Sequence, residues 1–139
     1  MTIALMSHDR KKELMVQFCT AYSAIFAKHT ICATNATGRL VQEATGQKVH
    51  LFLPGGQGGA QQIGARIAYN EIDLVLLFAD PQIETDDADL HYVLQLCDQY
   101  SVPCATNIAT AEMLILGLDR GDLDWRTVMK PQSNTPFTL

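Results

Sequence analysis

The sequence predicts a three-layer α/β/α domain built on a five-stranded parallel sheet. Five short apolar runs alternate with five helical patterns along the chain, and short loops join them. A length of 139 residues suits one domain, which we assign to residues 1–139 with a poorly defined tail over 126–139. The predicted strands are residues 3–6, 30–33, 49–53, 72–78 and 102–106.

Each helix is assigned from its apolar spacing or from its ends. Residues 11–28 form the first helix, because apolar side chains recur there at three- and four-residue steps. The helix that follows the glycine-rich loop carries Ile63 and Ile67 on one side. The other helices are marked by N-cap residues and terminal glycines, namely Thr37 with Gly46, Asp89, and Thr110 with Gly117.

Charge and composition exclude several classes of partner. A net charge of −5 gives no basic excess for a nucleic-acid backbone, and no apolar run reaches the roughly 18 residues of a membrane span. The cysteines form no pair or cluster with metal-ligand spacing. We therefore expect a cytoplasmic protein with reduced, buried thiols rather than disulfides, and with no structural metal and no cofactor. The cysteines are Cys19, Cys32, Cys97 and Cys104.

A glycine-rich loop over residues 53–62 is the clearest functional feature. It places four glycines in five positions between a predicted strand and a helix. Without Cβ atoms, the N–H groups around Gly55 and Gly56 are open to a ligand, and a helix N-terminus attracts an anion. The loop therefore predicts an anion site, although a flexible surface turn would have the same composition.

Two more strand-end loops carry polar groups that suit a phosphate. His8 and Asp9 follow the first strand, and Lys12 lies one helical turn further on. Hydroxyl, amide and backbone N–H groups follow the second strand, and further polar groups follow the fifth. Ligands of parallel sheets bind at the carboxyl ends of the strands. The candidates after the second and fifth strands are Thr34, Asn35, Thr37, Gly38, Thr106 and Asn107, all of which also suit simple caps.

An acidic loop follows the fourth strand. Paired carboxylates near a cleft can do acid–base work, and Asp80 and Asp89 are the candidates for catalysis. Glu84, Asp86 and Asp87 lie between them. Most acidic runs are hydrated surface. A purely solvated loop with no catalytic role therefore remains an alternative.

Together these segments closely resemble the methylglyoxal synthase family. The resemblance spans about residues 2–118 and rests on IALMSHD at 3–9, Lys12, ATNATG at 33–38, EATG at 43–46, GGAQQIG at 58–64, DP at 80–81 and PCATN at 103–107. It implies a cytosolic homohexamer and a site for the phosphate of dihydroxyacetone phosphate. By position, Lys12, Thr34, Thr37, Gly38 and Gly55 match phosphate-binding residues, whereas His8, Asp9, Asp80 and Asp89 match other polar site residues.

The chain departs from the family pattern at several site positions. Ala60 stands where the resemblance places the aspartate that removes the substrate proton, and Pro54 and Ala36 replace a serine and a threonine. Residues 86–89 are one residue short of a family segment that carries a catalytic histidine.

These departures predict a non-catalytic protein. It would bind a phosphorylated small molecule, either a nucleotide-derived signal or a triose phosphate, as a sensor, regulator or sink. The alternative is an active methylglyoxal synthase whose base has moved to Asp80, Asp86 or Asp87. A purely structural oligomer is a third possibility.

Overall fold

The computed structural model describes residues 1–83 and 87–129, and its architecture confirms the predicted fold class. A five-stranded, wholly parallel sheet has the strand order β3-β2-β1-β4-β5. The strands are β1 (Thr2–Ser7), β2 (Thr30–Ala33), β3 (His50–Leu51), β4 (Leu74–Phe78) and β5 (Cys104–Ala105). The α-helices are α1 (Lys12–Ala21), α2 (Ser23–Phe26), α3 (Asn35–Thr45), α4 (Gly59–Ala68), α5 (Ala88–Gln99), α6 (Ile108–Arg120) and α7 (Trp125–Met129), and 3-10 turns cover Asp9–Lys11 and Gly55–Gln57.

Two apolar clusters, one on each face of the sheet, form the core. Successive side chains of β1 alternate between them, because neighbouring residues of a strand point to opposite faces. Ile3 and Leu5 pack with apolar residues of α1, α3 and α6, whereas Ala4 and Met6 pack with those of α4 and α5. All five residues of β4 are buried, as expected for a central strand covered on both sides.

The first predicted helix is broken in the structure. Residues 9–11 form a 3-10 turn, and α1 ends before Tyr22, whose φ of −106° and ψ of 25° interrupt the helical backbone before α2. The outer strands are also shorter than predicted. β3 and β5 each make only two register pairs with one neighbour, so the flanking apolar residues are not part of the sheet.

Three predicted helix starts and one predicted end are wrong. α3 follows Thr34, so Thr37 lies inside the helix, and Asp87 and Asn107 rather than Asp89 and Thr110 accept the N-cap hydrogen bonds. α6 also continues past Gly117. It ends at a left-handed residue, Gly121, with φ +88°, and Gly46 ends α3 in the same way as predicted.

The predicted tail begins with an ordered helix. Arg126 of α7 is 3% exposed, and its guanidinium donates to Asp73 Oδ1 at 3.3 Å, to Ser101 O at 2.5 Å and to Asn70 Oδ1 at 3.1 Å. The Asp73 carboxylate in turn accepts the N–H of Thr2 at 2.9 Å. Residues 130–139 lie outside the described part of the chain.

Cysteine burial agrees with the sequence analysis. Cys19, Cys32 and Cys97 are buried free thiols, and Cys104 is partly buried. Burial raises the pKa of both the Cys19 and the Cys32 thiol to about 12. Over the described ranges, no helix combines the length and the apolar character that crossing a bilayer requires.

Candidate active site

A cavity of about 560 Å³ lies at the carboxyl edge of the sheet. It is bounded by the loops that follow β1, β2 and β4, by the glycine-rich loop and by the first turn of α5. This is the location at which parallel α/β sheets hold their ligands. The described lining residues are Met6, Ser7, His8, Asp9, Arg10, Lys12, Thr34, Ala36, Thr37, Pro54, Gly55, Gly56, Leu77, Asp80, Ile83, Asp87, Asp89 and Leu90.

The cavity brings together nine of the thirteen residues predicted to form a site. They are His8, Asp9, Lys12, Thr34, Thr37, Gly55, Gly56, Asp80 and Asp89. The described lining does not include the other four, and each has a local role. Asn35 accepts from Arg39 Nε at 2.9 Å, and Asn107 caps α6. Gly38 packs closely beneath the Leu51 side chain, and Thr106 accepts the N–H of Ala79 through its carbonyl at 3.1 Å.

One wall of the cavity carries a cation and two hydroxyls. Lys12 Nζ donates to Asp9 Oδ1 at 2.7 Å and to the carbonyl of Ser7 at 3.1 Å. The hydrogen bond and charge of Lys12 hold the pKa of the Asp9 carboxyl below its usual value. Thr37, which is almost fully buried, shares a 2.9 Å hydrogen bond with Ser7 Oγ. The sequence analysis missed Ser7, although its position as the last, polar residue of β1 was a usable signal.

The glycine-rich loop contributes backbone groups to the cavity lining through Gly55 and Gly56. A Cβ on Gly59 would overlap the carbonyl oxygen of Leu53, so the loop can make its turn into α4 only with glycine there. A Cβ on Gly55 would make only an ordinary contact with the Thr34 methyl group at 3.9 Å, and Gly56 faces open space. Ala60, in the next helical position, is fully buried in the apolar cluster beneath α4.

The cavity lining also includes a hydrogen-bonded chain of Asp80, His8 and Asp87. His8 Nδ1 lies 2.8 Å from the backbone N of Asp80, and His8 Nε2 lies 2.6 Å from Asp87 Oδ2. An amide N–H can only donate, so Nδ1 must be the acceptor and the ring proton resides on Nε2. The imidazole therefore donates its Nε2–H to the Asp87 carboxylate, while its Nδ1 accepts the N–H of Asp80.

Besides Asp9, three described carboxylates line the cavity in different environments. Asp80 accepts the N–H of Gln82 at 2.9 Å, and Asp89 accepts from Gln61 Nε2 at 3.2 Å. Asp87 caps α5 through the N–H of Leu90 at 3.1 Å. Burial raises the pKa of Asp87, but the hydrogen bonds from His8 and Leu90 outweigh it and hold that pKa below its usual value. Asp86 and Glu84, also considered from the sequence, lie outside the described residues.

This fold and site define a class of α/β proteins with a polar cavity at the carboxyl edge of a parallel sheet. Within the described residues, no cluster of three His, Cys, Asp or Glu side chains has the arrangement of a metal site. A model of the MGS-like domain matches residues 14–106. The chain belongs to the MGS-like domain family.

Its relatives include proteins called methylglyoxal synthase. The one from Caldicellulosiruptor saccharolyticus is 58% identical over 133 residues, which cover 95% of this chain and 94% of the relative. The one from Oceanobacillus iheyensis is 47% identical and covers 99% of each chain. A crystal structure of methylglyoxal synthase from Elizabethkingia anophelis superimposes with a TM-score of 0.78 at 36% identity, and covers 82% of this chain and 76% of that one.

These relatives overturn the prediction of a non-catalytic sensor, regulator or sink. That prediction rested on Ala60 and on the missing histidine. Proteins that share half or more of the sequence over nearly the full length carry the name of an enzyme, and they favour the alternative, an active methylglyoxal synthase. The prediction gave too much weight to two positions against the identity of the whole chain.

Proposed function

We propose that the protein is a methylglyoxal synthase, which converts dihydroxyacetone phosphate to methylglyoxal and inorganic phosphate. One observation carries the proposal: a single cavity is lined both by groups suited to hold a phosphate and by carboxylates. The cradle consists of the Lys12 ammonium, the Thr34 and Thr37 hydroxyls and the open backbone at Gly55 and Gly56. The identity to proteins of that name over almost the whole chain supports the same activity.

The reaction needs a base and a site for the leaving group. A base removes a proton from the hydroxymethyl carbon, which is acidified by the neighbouring carbonyl, and an enediolate forms. After a proton shifts between the two enediolate oxygens, the C–O bond to phosphate breaks and its electron pair leaves with the phosphate. The remaining enol takes a proton on its methylene carbon and becomes methylglyoxal.

The cradle suits the second half of this sequence. Charge accumulates on the phosphate oxygens as the C–O bond breaks, and the fixed Lys12 charge and hydroxyl donors stabilise that charge without reorganising. Lys12 is only 18% exposed in its side chain, so water screens its charge less than that of a surface lysine.

The carboxylates of the cavity lining suit the first half of the reaction, which is proton removal. The methyl group of Ala60 cannot accept a proton, so the base must be another group at the cavity. A positioned general base contributes roughly 10²–10⁴-fold to the rate. Besides Asp9, which is paired with Lys12, the described carboxylates that line the cavity are Asp80, Asp87 and Asp89.

The test is a stoichiometric assay of both products. We expect the purified protein to release methylglyoxal, trapped as an adduct with a diamine, and inorganic phosphate in equal amounts from dihydroxyacetone phosphate. A rate no higher than that of buffer alone, in protein that still binds inorganic phosphate, would refute the proposed activity. The hexamer that the resemblance implies is part of the proposal, and light scattering tests it separately.

A further inference from the structure

Four described carboxylates line the cavity, and their contacts distinguish them. Asp9 is 98% exposed in its side chain, and its Oδ1 is paired with Lys12 Nζ at 2.7 Å. Asp80 is 6% exposed in its side chain, and its Oδ2 lies 3.7 Å from Arg10 Nε while its Oδ1 accepts the N–H of Gln82. It is thus enclosed within its own turn beside a cation. Asp89 is held by Gln61 of α4. The Asp87 side chain is 32% exposed and keeps access to the cavity.

We infer that Asp87, oriented by His8, is the base that takes the proton from the hydroxymethyl carbon. This inference rests on the proposed function. It assigns to the first residue before α5 the task that the resemblance places at position 60.

The hydrogen bonds around His8 make it a positioning residue and not the base. Its Nδ1 already accepts the N–H of Asp80, and its Nε2–H already donates to Asp87 Oδ2. No ring lone pair is left to receive a substrate proton. The imidazole instead fixes one carboxylate oxygen, and the N–H of Leu90 fixes the other.

A carboxylate held by two donors still has unused lone pairs, because each of its oxygens can accept two hydrogen bonds. The apolar residues Ile83 and Leu90 also line the cavity. A bound substrate would displace water against these apolar side chains, and a desolvated carboxylate is a stronger base than a hydrated one. The proton moves from carbon to a carboxylate oxygen of Asp87, and the C–H electron pair forms the enediolate.

Proton removal is measured apart from elimination by running the reaction in D₂O. Nuclear magnetic resonance follows deuterium entry at the hydroxymethyl carbon of unreacted substrate, and a colorimetric assay follows phosphate release. For Asp87→Asn we expect both rates to fall by about 10²–10⁴-fold, with KM little changed, and Asp87→Glu to recover part of the loss.

The substitution is chosen so that the fold survives. Asn and Ser are N-caps as good as Asp, so Asp87→Asn and Asp87→Ser both keep the start of α5 and remove the base. Serine has a single oxygen, so Asp87→Ser also removes the partner of His8 Nε2. Asp98→Asn makes the same chemical change at an exposed position near the end of the same helix, and we expect its rates to stay within about twofold of wild type. Affinity for inorganic phosphate, measured by calorimetry, should be the same in all of these variants.

The outcomes separate this inference from the proposed function. Turnover in the wild type with Asp87→Asn and Asp87→Ser within about threefold of it would overturn the inference alone, as would loss of exchange only in Asp80→Asn. Wild-type exchange that depends on Asp87, without phosphate release, would support the inference and refute the activity. A wild type with neither exchange nor release would overturn both.

Discussion

The ion pair that anchors α7 allows a sharp test of stability. Arg126 and Asp73 have side chains that are 3% and 2% exposed, so water screens neither charge. The Arg126 guanidinium also donates to the carbonyls of Ser101 and Ile72 and to Asn70 Oδ1. Arg126→Met retains most of the aliphatic volume and removes every one of these donors.

The expected loss follows from this burial. Removing one partner of a buried ion pair typically costs about 3–5 kcal/mol. A domain of 139 residues lies between the size classes for which one kcal/mol shifts the Tm by about 2–4 °C and about 4–8 °C. At roughly 3–4 °C per kcal/mol, the Tm should fall by about 10–20 °C.

Thermal unfolding followed by circular dichroism measures this loss. Arg120→Met is the matched control, because Arg120 is 66% exposed and pairs with Asp122 at the surface. Exposed pairs contribute about 0–1 kcal/mol, so the control should lose at most about 4 °C. The double variant Arg126→Met, Asp73→Asn should recover part of the loss, because it removes the buried negative charge. A Tm for Arg126→Met within about 2 °C of wild type would refute the reasoning.

Three further predictions concern the site and the core. Lys12→Ala should weaken inorganic phosphate binding about tenfold or more, since a charge-assisted hydrogen bond contributes about 1.5–3 kcal/mol. Calorimetry measures the affinity, and an affinity equal to that of wild type would contradict the assignment of Lys12 to the phosphate cradle. Gly59→Ala should lower the Tm, because its Cβ would overlap the backbone of Leu53, whereas Gly56→Ala should leave the Tm unchanged because that position is open. Cys19, whose pKa burial raises to about 12, should resist iodoacetamide at pH 8 until denaturant is added, and rapid labelling of native protein by mass spectrometry would argue against its burial.

The sequence predicted a structural feature correctly where the residue pattern is compatible with only one local structure. The apolar run in β4 and the glycine that ends α3 are of this kind. The Asp87 and Asp89 pair is different, because both residues suit an N-cap and are two positions apart. Only the backbone at Asp87, with a φ of −95° and a ψ of 96°, decides which one caps α5.

Features built from distant residues had no local signal. Arg126 was assigned to the poorly defined tail because no residue near it in sequence marks it as an anchor. Its partner Asp73 is 53 residues away. The link from His8 to Asp87 spans 79 residues. Gly117 was misread for a related reason: it is a buried helix position beside Asp122 in the folded chain and not a terminator. Strand-end loops, in contrast, converge by topology alone, which is why nine of the eighteen described lining residues were among the predicted site residues.

The Arg126 anchor and the cavity occupy opposite ends of the central strands. Asp73 meets the backbone of Thr2 at the start of β1, and Ser7 reaches the cavity at its end. Six residues of strand separate them by roughly 15–20 Å, and substitutions so far apart have nearly additive effects. Mutations that alter the chemistry of the cavity therefore have little effect on the stabilising contacts of Arg126 at the other end of the strands. This separation would allow cavity residues such as Ala36 and Pro54 to be exchanged in a protein that still folds.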